Sequence, residues 1–72
     1  MAIDMFERKI SKMSDDDCYD MALKYGKIME RGSMSRVEVY RAGLIFKECA
    51  SRATLEEHKE VFLTALRVLR FF

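Results

Sequence analysis

Proline and tryptophan are absent from the 72 residues, glycine occurs three times and histidine once. Without proline the chain lacks the strongest helix breaker, and helix becomes the favoured class throughout. A single histidine excludes a two-histidine metal site and any relay between histidines. Neither sign of charge dominates. Thirteen basic and 12 acidic side chains leave a net charge of +1, which gives no large field for steering nucleic acid or an anionic membrane. Uncharged runs fall far short of the roughly 20 residues of a membrane span. The charge-rich stretch from Met1 to Met13 has no apolar centre of the kind a signal peptide needs. Cys18 and Cys49 lie far apart without a CxxC pair, so the expectation is two reduced, buried thiols in a cytoplasmic protein.

Half of the residues are hydrophobic and 35% are charged, the balance of a folded chain. The expectation is one small helical domain, residues 1-72, with a thin core of its own. Ile3, Phe6, Ile10 and Met13 recur at three- and four-residue steps and predict a first helix over about 2-13. Ser14, followed by three aspartates, caps a second helix over about 15-31. That helix buries Cys18, Met21, Ala22, Tyr25, Ile28 and Met29, and Gly32 ends it. Ser35 and Glu38 form a capping box that opens a third helix over about 36-52, and Thr54 with Glu57 opens a fourth over about 55-71. Connections this short fold the segments into a compact all-α bundle of about four helices, expected to be oligomeric.

Some faces exceed what a monomer needs. On the third helix, Val39, Ala42, Gly43, Phe46, Cys49, Ala50 and Ala53 make one stripe of mostly small residues. Val37, Tyr40 and Leu44 make a second, and Ile45 points elsewhere. A helix apolar on two sides is either central in its own bundle or buried against a second chain, and both alternatives stand. The fourth helix carries a wide face of Leu55, Val61, Phe62, Ala65, Leu66, Val68 and Leu69, with which Phe72 aligns and into which His58 falls. Leu63 and Phe71 fall outside it, and Tyr19 with Leu23 forms a small off-face pair on the second helix.

Little here points to catalysis. His58 is expected as a hydrogen-bonded, partly buried residue, and no local signature pairs it with Cys18 or Cys49. Asp15, Asp16, Asp17 and Asp20 miss the calcium-loop spacing, because Tyr19 takes the fifth position and Gly26 the twelfth. No metal is expected. Ser33 to Val39 resembles the segment around the phosphopantetheine-bearing serine of acyl carrier proteins over seven residues. Gly32 stands where that family has its aspartate, and the family's strong acidity and long first loop are missing. The box at Ser35 and Glu38 accounts for the likeness, so no cofactor is expected.

The function expected is therefore a non-enzymatic helical interaction module, a small regulator or inhibitor that docks an apolar helix face on a protein partner or a second copy. Its contact residues are Val37, Tyr40, Leu44 and Phe71, with Tyr19 and Leu23 as a second patch. The alternative is a dimeric nucleic-acid-binding regulator using Arg36, Arg41, Lys47 and Arg52 of the third helix. A membrane role is not expected.

Overall fold

A computed structural model describes residues 5–72, so Ile3 and the first turn expected around it lie outside the described residues. Four helices and no strand are present among these: α1 Met5–Lys12, α2 Asp15–Glu30, α3 Arg36–Arg52 and α4 Glu56–Leu69. The Ser14 hydroxyl accepts the Asp17 N–H at 3.2 Å and starts α2. At the head of α3 both halves of the capping box form. The Ser35 hydroxyl accepts the Glu38 N–H at 3.1 Å, and the Glu38 carboxylate accepts the Ser35 N–H at 2.8 Å. Gly32 takes φ +80°, the left-handed conformation that turns the chain out of α2.

The box expected at Thr54 does not form. The backbone stays extended through Ala53 and Leu55 to make the corner, so α4 starts at Glu56 with Leu55 as an N-cap that offers no side-chain acceptor. The helix also stops at Leu69, short of the expected 71, and Phe71 and Phe72 follow in a turn.

α3 is the central element: α1, α2 and α4 each pack on it more than on one another. This resolves the two-sided helix. Ala42, Ile45, Phe46, Cys49 and Ala50 are all buried because partners approach α3 from several directions, and Ile45 is fully enclosed. Its small residues allow close approach; Leu69 reaches to 4.0 Å from where a Cβ on Gly43 would stand. From the other helices Ile10, Cys18, Ala22, Tyr25 and Leu69 complete the core. Phe6 meets Tyr25 edge to face, with centroids 6.3 Å apart. The molecule measures 30 × 28 × 18 Å, so its short axis holds only two helical layers at the usual spacing of about 8–10 Å.

Ile45→Ala should cost about 2–5 kcal/mol, because a fully enclosed site on the central helix cannot collapse around the void. Urea denaturation checks this as a lower midpoint at unchanged slope. The Ser35 backbone N–H, donating to the carboxylate, holds Glu38 below its ordinary pKa. Its contribution is present above the ordinary glutamate range and is lost as pH falls through the depressed value. Glu38→Gln should therefore flatten the dependence of melting temperature on pH in the acid range, measured by circular dichroism.

Candidate functional site

α2 and α4 both pack on α3, to which short corners join them. Cys18 near the start of α2 sits on Cys49 near the end of α3, whose thiol donates to the Cys18 carbonyl at 3.4 Å. The two outer helices meet through one aromatic pair. Tyr19 and Phe62 stack with centroids 5.7 Å apart and planes 4° from parallel. Beyond that pair a groove of about 740 Å³ runs between them, with Phe46 of α3 in its lining.

The walls repeat at helical spacing. α2 contributes Tyr19, Ala22, Leu23, Gly26 and Met29; α4 contributes Val61, Phe62, Ala65 and Val68. Polar groups occur only at Lys27, Glu30 and His58. Leu23 is 67% exposed and Val61 63% exposed, so the walls stand open to solvent. Gly26 is informative. A glycine inside a helix costs about 0.5–1 kcal/mol relative to alanine, yet among the described residues no atom beyond its own stretch of α2 lies within 4 Å of where its Cβ would be. The fold makes no use of the space that Gly26 leaves free.

Tyr19 and Leu23, expected as a second patch, are thus part of the groove. Val37 and Tyr40 are exposed on the outer face of α3, and Leu44 is half-buried towards α1. Phe71 is 89% exposed at the end of α4. These four do not join the groove's walls. Phe72, expected to align with the wide face of α4, is also exposed, since the turn after Leu69 carries it off the helical face. His58 stands exposed at the groove's edge rather than partly buried. Gly26, Val61 and Val68 escaped the sequence reading as site residues; the signal for the two valines was the wide apolar face of α4, and that for Gly26 was its place beside Tyr19 and Leu23 on α2.

The four basic residues of α3 divide. Arg36 and Lys47 are exposed. Arg41 lies with its guanidinium 5.1 Å from the Phe6 ring centroid, and its Nε is buried with no hydrogen-bond partner among the described residues. Arg52 is drawn into the fold. It donates to the carbonyls of Ile10 (3.1 Å) and Met13 (2.6 Å), to Asp15 (3.1 Å) and to Glu48 (2.8 Å). The bond to Glu48 raises its pKa further.

The two cysteines are free and fully buried. Burial pushes both thiols up, Cys49 to about 11, which opposes thiolate formation. Among the described residues no group of three or more His, Cys, Asp or Glu side chains is placed to hold a metal ion, and no helix is long and apolar enough to cross a membrane. Comparison with protein-family models, with curated proteins and with solved structures finds no match.

Arg52→Ala should lower the melting temperature, because it strips partners from the carbonyls at the end of α1. Arg36→Ala and Lys47→Ala should leave it within error, since both side chains are exposed. Thermal melts of the three variants check the division.

Proposed function

We propose that the chain is a non-enzymatic protein-interaction module that takes an apolar helix into the groove between α2 and α4. The observation that carries this reading is the pairing of two apolar walls with an unfilled mid-helix glycine. Side chains at three- and four-residue steps on both walls suit an occupant with the same periodicity, which is an amphipathic helix. Few polar groups line the groove, so apolar burial supplies the affinity, while Lys27 and Glu30 at the edge set register. A regulator or inhibitor of a larger protein fits this mode, and the buried free thiols suit a reducing cytoplasm. The nucleic-acid reading draws less support, because Arg52 is committed to the fold and Arg41 packs over Phe6.

Two helical peptides test the proposal by amide shift mapping. One carries this chain's own residues 55–72. The other is a designed helix of Leu, Ala, Glu and Lys with the same apolar spacing. Either peptide should move the amides of Ala22, Gly26 and Ala65. Gly26→Leu should abolish the shifts while keeping or raising stability, by about 0.5–1 kcal/mol on helix propensity. Absent shifts, or shifts centred on Val37 and Tyr40, would overturn the groove as the docking surface.

A further inference from the structure

We infer that Cys18 and Cys49 form a redox-sensitive lock, which a small-molecule disulfide closes into an intramolecular cross-link between α2 and α3. The inference is independent of what docks in the groove. It rests on the contact between the two residues, their isolation and their place in the fold.

The Cys49 thiol donates to the Cys18 carbonyl at 3.4 Å, and the Cys18 sulfur lies 3.9 Å from the Ile10 carbonyl. A disulfide needs Cα atoms about 4.4–6.8 Å apart, a span that one short side chain touching its partner's backbone allows. Small neighbours keep the two helices close at this point. Ala22 stands one turn after Cys18, Ala50 follows Cys49, and both are buried.

Both cysteines are free and fully buried, and the chain has no third. Each sulfur therefore has one intramolecular partner, and a bond between them closes a loop instead of joining chains. Burial also holds both groups as thiols, so exchange proceeds only while α2 is loosened from α3.

The two residues lie 31 positions apart and on different helices. A cross-link over such a span removes much of the freedom of the unfolded chain. Cys18 also precedes Tyr19, whose ring stacks on Phe62 of α4. The lock thus pins α2 beside the contact that joins the two groove walls.

The chemistry balances as two exchanges with oxidised glutathione. One protein thiolate attacks a glutathione sulfur, forming a mixed disulfide and releasing one reduced glutathione. The second protein thiolate attacks the protein-side sulfur, forms the Cys18–Cys49 bond and releases the other. Two thiols are oxidised, one glutathione disulfide is reduced, and the two thiol protons leave on the released glutathione.

Mass spectrometry of the full chain held in glutathione buffers of graded ratio, with exchange stopped by acid, tests the lock. The expected product is a single chain lighter by two hydrogens. It should form faster in urea kept below the unfolding transition, and should melt about 10 °C or more above the reduced chain. Cys18→Ser should stop at a glutathione adduct on Cys49. In the unsubstituted protein, chains that stop at adducts, chains joined to one another, or a chain that stays reduced at every ratio would overturn the lock. A cross-linked chain that melts no higher than the reduced one would overturn it too, since the bond would then strain the contact between α2 and α3.

Discussion

One guanidinium ties together the corner on which the rest of the bundle is hung. Arg52, in the last turn of α3, reaches two carbonyls around the end of α1 and the carboxylate of Asp15 at the head of α2, while Glu48 one turn back steadies it. Carbonyls at a helix end have no intrahelical donor, and the positive group meets the negative end of the α1 dipole. The contact adds to the backbone bond from Met13 to the Ile10 carbonyl a donor about forty positions away in sequence. With α1 and the start of α2 fixed to that end of α3, the direction of α2 along α3 follows.

That direction creates the groove. α2 and α4 pack on α3 from either side of Phe46, and the stacked pair Tyr19 and Phe62 bridges them. α1 occupies a different side of α3, so the chain has no further described helix with which to cover the space. The inner faces around α3 mix small side chains (Ala42, Cys49, Ala50) with large ones (Ile45, Phe46, Tyr25, Leu69), and the apolar groups Leu23, Val61 and Val68 remain outward. These outward apolar groups leave a surface suited to another helix.

Local chemistry was legible in the sequence, and relations between distant segments were not. Ser14, Gly32 and the Ser35–Glu38 box announce their helix ends because each signal acts within four residues. The Thr54 box failed since the corner between α3 and α4 needs extended backbone through Leu55, a demand of the packing that no local pattern carries. Periodicity identified the apolar face of α4 as wider than a monomer needs but did not single out Val61 and Val68 as its open part, because it cannot say how wide a face the neighbour covers. Arg52 looked like surface charge for the same reason: its acceptors, Ile10 and Met13, are 42 and 39 residues away. Tyr19 and Leu23 were recognisable as surplus only because α2 is otherwise cleanly one-sided.

The buried thiols have a practical consequence. Cys18 and Cys49 sit face to face between α2 and α3, with no solvent path to either sulfur and a raised pKa on both. A thiol reagent therefore has to wait until α2 lifts from α3. The chain carries its own stopwatch for that opening: the rate at which native cysteines become labelled reports how often the centre of the bundle comes apart, with no probe introduced and no residue changed.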